Sequence, residues 1–202
     1  MRKIWIFLVG IIFLASCSLL PGTNKTTLKL PSPIRQWAAS ASASDAYGGL
    51  YGQNRDDQSP YAATGAPDVE KCEDSQKAWV IGQEDDGVHW LELNYDTEVY
   101  VSEVNIKENF GTGAIIKVEA MDNGQFRALW EGKDLTKACP GTFMIKYHES
   151  AGNLTKDMTS YKTSTIRITL DTDKSGWNEI DAVEVVGYDQ RWFAYNNTLV
   201  YE

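Results

Sequence analysis

Two histidines, three cysteines and an excess of carboxylates are the side chains of this 202-residue chain that could carry covalent or acid–base chemistry. His89 adjoins the start of one alternating apolar run and His148 the end of another, and neither has a second histidine at metal-ligand spacing. No Gly-x-Ser-x-Gly elbow, phosphate loop or dinucleotide fingerprint occurs. Asp85, Asp86, Glu179 and Asp181 could pair for glycoside hydrolysis only if two of them stood roughly 5 to 9 Å apart in a deep cleft, which one small domain rarely builds. The inventory points away from an enzyme and toward a binding protein. At 43% hydrophobic, 11% aromatic and 23% charged, the composition is that of a globular domain.

Residues 1–16 read as a leader. Arg2 and Lys3 precede an apolar stretch from Ile4 to Ala15, shorter than the ~20 residues of a bilayer span and shaped like a secretory signal. The stretch ends in Leu14-Ala15-Ser16-Cys17, which resembles the lipobox of bacterial lipoproteins. That resemblance implies acylation of Cys17 by more than one palmitate-like chain. At ~0.8 kcal/mol per buried CH₂, such chains make a stable anchor in the lipid bilayer. The expected location is a bacterial cell envelope, and Ser18 in place of Asp favours the outer membrane where the host has two membranes. With Cys17 acylated, Cys72 and Cys139 remain as a pair in an oxidising compartment and are predicted to be bridged, two free buried thiols being the competing reading. Residues 17–36, carrying Pro21, Gly22, Pro31 and Pro33, read as a tether. The formal charge is −9, and loss of Arg2 and Lys3 leaves 17 basic against 28 acidic residues, or −11. Nucleic acids and anionic lipid surfaces are poor partners for such a chain.

The elements that must position any site are strands. Leu91, Leu93 and Tyr95, then Val104 and Ile106, then Ile116, Val118 and Ala120 recur at every second position. Turn residues at Asn94 to Thr97 and at Gly111 to Gly113 separate them, which predicts three successive strands with antiparallel pairing. Trp37, Ala39, Ala41 and Ala43 could share a face of one earlier strand, and Gly124 suggests a hairpin return through Phe126 and Trp130. Thr142 to Tyr147, Ser164 to Leu170 and Trp177 to Gly187 continue the alternation, while Asn153 to Thr163 reads as a polar loop. Strands with one apolar face each require a second layer to cover that face, so the prediction is an all-β sandwich of two antiparallel sheets over residues 37–189. The aromatic tail, 190–202, is expected to lie against it.

W-A-A-S-A-S-A-S, then Y-A-A-T-G-A-P-D-V with a following cysteine and A-W, then W-L-E-L, V-N-I-K-E-N-F-G-T-G-A-I-I-K-V-E-A and W-N-E-I-D-A-V-E-V-V-G together resemble the galactose-binding-like (discoidin or coagulation-factor type C-like) superfamily. The resemblance implies a jelly-roll sandwich. It also implies a structural calcium ion, with Asp68 and Glu179 at the matching positions and carbonyls of Thr64 to Pro67 completing an oxygen shell. The plain alternative is that Asp68 caps its own turn and Glu179 pairs with Arg167. Ligand sites of this fold lie in the loops of one end, where an aromatic ring stacks on a sugar, so Tyr47, Tyr51, Arg55, Trp79 and Phe110 are the candidates. Trp79, Trp90 and Trp177 each adjoin a strand, which favours packing over ligand contact. The expected function is non-catalytic recognition of an envelope or external carbohydrate by an anchored lipoprotein; the alternative is adhesion or assembly through a protein partner.

Overall fold

The computed structural model describes residues 31–151, 154–173, 176–195 and 198–201. The leader and Cys17 lie outside the described residues. Among the described residues twelve strands follow in order: β1 (Ile34–Trp37), β2 (Ser40–Ala43), β3 (Val88–Phe110), β4 (Ile115–Asp122), β5 (Gln125–Glu131), β6 (Gly141–Lys146), β7 (Glu149–Ala151), β8 (Leu154–Lys156), β9 (Lys162–Asp171), β10 (Glu179–Tyr188), β11 (Trp192–Tyr195) and β12 (Thr198–Tyr201). All pairings are antiparallel.

β3 belongs to both layers of the sandwich. Its first part, Val88 to Asn94, runs between β2 and β9, and β4 and β5 extend that layer. Its last part, from Tyr100 to Phe110, runs between β10 and β6, with β1 beyond β10. The register on β9 jumps between Asn94 and Val99, and there the strand passes from one layer to the other. Asn94 to Thr97 is therefore a bend within a strand and not the expected hairpin turn. The physical reason is distant in sequence: the Gln36 side chain accepts from Thr97 N at 3.1 Å and donates to Thr97 O at 2.7 Å, meeting backbone needs that a turn would otherwise meet. A second correction concerns the predicted strand from Trp37 to Ala43. It is two strands, β1 on β10 and β2 on β3, one in each layer, and β1 begins within the segment expected to be a tether. The β4–β5 hairpin turns at Asn123-Gly124, both with positive φ (48° and 82°), as a tight two-residue turn requires.

Leu91, Leu93, Ile166, Ile168 and Val118 from one layer meet Val104, Ile106, Val183 and Val185 from the other in one core. β10 is buried along nearly its whole length, and at Gly187 a Cβ would lie 2.4 Å from Tyr100 O, so only glycine lets β3 approach this closely. β11 and β12 form a small sheet with β8 and β7, and Trp192 is 5% exposed against Tyr188, as expected of a tail that packs.

Where β3 ends, Glu108 is buried beside Asp134 and accepts from Gly113 N at 2.9 Å, fixing the β3–β4 turn. Desolvation, reinforced by Asp134, pushes its pKa from 4.5 to about 8. The folded chain then holds a proton that the unfolded chain has released. This contribution to stability is complete below the unfolded pKa and is lost as pH rises through about 8. Wild type should lose a few kcal/mol at most between about pH 5 and about pH 9 that Glu108→Gln does not lose, read from denaturant midpoints of both. Parallel pH profiles for the two would contradict this.

Candidate ligand site at the loop end

The sandwich end that carries the β2–β3, β3–β4 and β9–β10 connections holds an aromatic corner. Trp177 lies just before β10, and its backbone is pinned by the β3–β4 turn: Gly111 has φ +53°, a Cβ there would come within 1.9 Å of Trp177 O, and Asn178 Nδ2 donates to Gly111 O. Tyr47 meets the Trp177 ring edge-on, at a centroid distance of 5.8 Å and an interplanar angle of 88°. Tyr47 is itself hung on the core. Its amide donates to Val80 O at 2.9 Å, while Trp79 donates Nε1–H to Asp45 O at 3.0 Å and pairs through its backbone with Ile180.

Gln58, Asp74, Gln76 and Val80 complete the walls of a cavity of about 480 Å³. Gln58 has φ +56°, uncommon for a residue with a side chain. It is held there by its amide, which donates to Gln76 O at 3.0 Å, and by Nε2, which donates to Asp74 Oδ1 at 3.2 Å. Two aromatic rings at right angles beside amide and carboxylate groups suit a ligand with apolar ring faces and hydroxyl edges.

Two carboxyls of β10 are buried, Glu179 beside the cavity's Asp74 and Asp181 two residues further along the strand. Glu179 accepts from Ser75 N and Asn109 Nδ2 and is in hydrogen-bonding reach of Asp74. Burial, with Asp74 adding, pushes it up to about 8. Asp181 accepts from the amides of Asp68 (3.2 Å) and Val69 (3.3 Å), and burial raises its pKa too.

The structure redistributes the residues expected to form the site. Trp79 is fully buried and offers no face to a ligand; it is the post that carries Asp45 and Val80. Arg55 points inward, donating to Ala66 O at 2.8 Å with Nη1 3.4 Å from Asp68 Oδ2, so it is engaged within the chain. Tyr51 is 90% exposed and does not line the cavity. Phe110 stands opposite Glu179 at the end of β3 and does not line it either. Only Tyr47 of the five reaches the corner, where Trp177, Gln58 and Gln76, which carry no such signal in the sequence, join it. Trp177 reads in sequence as strand-flanking packing, and the turn glycine Gly111, whose missing side chain makes room for the Trp177 carbonyl, is the one sequence feature that marks the approach.

The calcium shell implied by resemblance fits in part. Asp68 does not fit, because Arg55 and Lys77 already neutralise its carboxylate and Arg55 takes the Ala66 carbonyl. Glu179, itself buried, has the exposed Asp74 for its acidic neighbour instead, and the two offer only oxygen ligands, the kind a hard cation takes. Among the described residues, no group of three or more His, Cys, Asp or Glu side chains could hold a metal ion. Glu179 does not pair with Arg167, which binds Glu92 at 2.7 Å. Cys72 and Cys139 are bridged, with Cα atoms 5.0 Å apart.

Arg55→Ala should free the 64–69 loop. The expected cost is about 1–2 kcal/mol, the worth of one charge-assisted hydrogen bond, with faster amide exchange at Asp68 and Val69. Unchanged exchange there would show that the guanidinium does not hold the loop.

Comparison with known proteins is consistent with this architecture. The chain is similar in structure to the family 32 carbohydrate-binding module of C. perfringens NanJ, solved in complex with galactose. The TM-score is 0.52 and the identity 16%, over 76% of this chain and 99% of that one. It is also similar to truncated AlyQ, a chain with a family 32 module and an alginate lyase domain, at a TM-score of 0.51 and 12% identity, over 78% of this chain and 34% of that one. At these identities the likeness is one of fold: a jelly-roll β-sandwich. No curated protein sequence matches the chain. The family model described as Pappalysin-1, SD scarf domain, C-terminal, matches residues 32–196, which is well over half of the sequence. The chain belongs to that pappalysin-1 SD scarf domain family.

Proposed function

We propose that this chain is a non-catalytic carbohydrate-binding lipoprotein, anchored through acylated Cys17 in a bacterial envelope membrane and recognising an envelope or external glycan. The observation that carries the binding half is the Tyr47–Trp177 corner, with Gln58, Asp74 and Gln76 as hydrogen-bonding groups at the cavity wall. The anchor rests on the lipobox sequence alone. That the NanJ module was solved with galactose supports the sugar reading for a chain of the same fold.

Calcium is part of the proposal as a structural ion held by Glu179 and Asp74. Bound there, it would neutralise the two adjoining carboxyls and stiffen the loop that carries Asp74 and Gln76. Thermal unfolding with calcium in large excess over its Kd should then occur several degrees higher than with a chelator. Coincident melting curves would remove the ion from the account.

A second reading, adhesion through a protein partner, is favoured by one observation: Leu50 and Tyr51 are exposed side by side, at 41% and 90%. Calorimetric titration of the full chain with a panel of neutral, amino and acidic glycans separates the two. Saturable binding that Trp177→Ala removes and Tyr51→Ala leaves intact supports the sugar reading. No binding across the panel by folded protein would move the function to the Leu50–Tyr51 surface.

A further inference from the structure

A second aromatic corner lies at the far end of β10. Tyr188 closes that strand and Trp192 follows it, their rings edge to face at 5.6 Å and 82°. β10 spans Glu179 to Tyr188, so at ~3.3 Å per residue this corner is roughly 30 Å from Trp177. The two rings line a cavity of about 460 Å³ together with Glu103, Lys146, His148 and Asp157.

Three features give the cavity a chemistry of its own. Trp192 is 5% exposed, and among the described residues its buried indole N–H has no hydrogen-bond acceptor, which leaves a donor in want of a partner. The Tyr188 hydroxyl is shifted upward by burial first, then by Asp157 and Glu103, which places both carboxylates around a partly dry ring. The polar groups are already engaged with one another: His148 Nδ1 lies 2.8 Å from Asp157 Oδ1, and Glu103 lies 3.9 Å from both Lys146 Nζ and Arg35 Nη2 and accepts from Asn105 at 2.7 Å. A charged ligand would have to break these pairs. An uncharged ligand with an apolar ring face would meet the aromatic wall without doing so, and its acceptor oxygen would satisfy the orphaned N–H once a small shift of the Trp192 ring exposes it.

We propose that the Tyr188–Trp192 corner is a second binding site, for a neutral sugar or similar polyol, independent of the Tyr47–Trp177 corner. A chain with two such sites at opposite ends could engage two glycan segments at once.

The test is titration of the isotopically labelled full chain, followed through the indole N–H signals by NMR. The background is a Tyr47→Ala/Trp177→Ala variant that silences the first corner. The probes are galactose and N-acetylglucosamine, with galacturonate and glucosamine as charged counterparts. Trp192→Phe assigns the Trp192 signal by its loss. The expected result is a saturable shift of the Trp192 signal with a neutral sugar and a smaller one with its charged counterparts. Trp192→Phe, which keeps the ring and removes the donor, should bind about two- to tenfold more weakly by the shifts of neighbouring amides, as loss of one hydrogen bond implies. The proposal is overturned if neither neutral sugar moves the Trp192 signal of folded protein. A larger response to a charged sugar, or a response seen only when Trp177 is intact, overturns it as well.

Discussion

Trp177→Ala should weaken glycan binding by about 30-fold or more, the ~2 kcal/mol or greater that marks a buried aromatic anchor. Trp177 supplies the larger ring of the corner, and its backbone is fixed by Gly111 and Asn178, so the ring is held in place before a ligand arrives. It precedes β10 and is only partly buried, so truncation should leave the core intact. Tyr47→Ala should cost less, about tenfold, since Tyr47 is 61% exposed and contributes the outer wall. Tyr51→Ala should have no effect on sugar affinity. Titration of these variants with one bound glycan ranks the three residues, and a ranking led by Tyr51 would place the contact surface on the exposed loop instead.

Loss of the Cys72–Cys139 bridge should have the largest effect on stability. The bridge closes a sequence separation of 67 residues, worth roughly 4 kcal/mol in the chain-entropy model. That is a large share of the 5–15 kcal/mol typical of a domain. It also ties down function, because Cys72 lies two residues before Asp74 and Cys139 lies in the β5–β6 connection. A Cys72→Ser/Cys139→Ser variant should show a lower denaturant midpoint and, in the fraction still folded, weaker ligand binding as Asp74 and Gln76 lose their support. A midpoint insensitive to the double substitution would contradict both expectations.

Alternation at Leu91, Leu93, Val104, Ile106, Ile166 and Ile168 is a local property, which is why the strands, the two layers and the fold class are legible in the sequence. The same text misleads between Asn94 and Thr97, because the Gln36 clamp that makes a bend of a turn lies 61 residues away. The two tryptophans flanking strands illustrate the limit for the site. Trp79 and Trp177 have similar local surroundings, and burial of one and partial exposure of the other are decided by the Trp79–Ile180 bridge and by Gly111. Arg55 looks like a ligand contact because a polar loop has little evident reason to keep it, yet its reason is Asp68 and Ala66. The same salt bridge removes Asp68 from the expected calcium shell and leaves Asp74 as the neighbour of Glu179. Pairings across loops of this length leave no trace in periodicity or spacing.

The most direct test of the account is a crystal structure of the chain with a glycan that it binds in solution. The account predicts a sugar ring against Trp177 and Tyr47, with its hydroxyls on Gln58, Asp74 and Gln76. A sugar ring seated on the Leu50–Tyr51 loop, with the Tyr47–Trp177 corner unengaged, would contradict it.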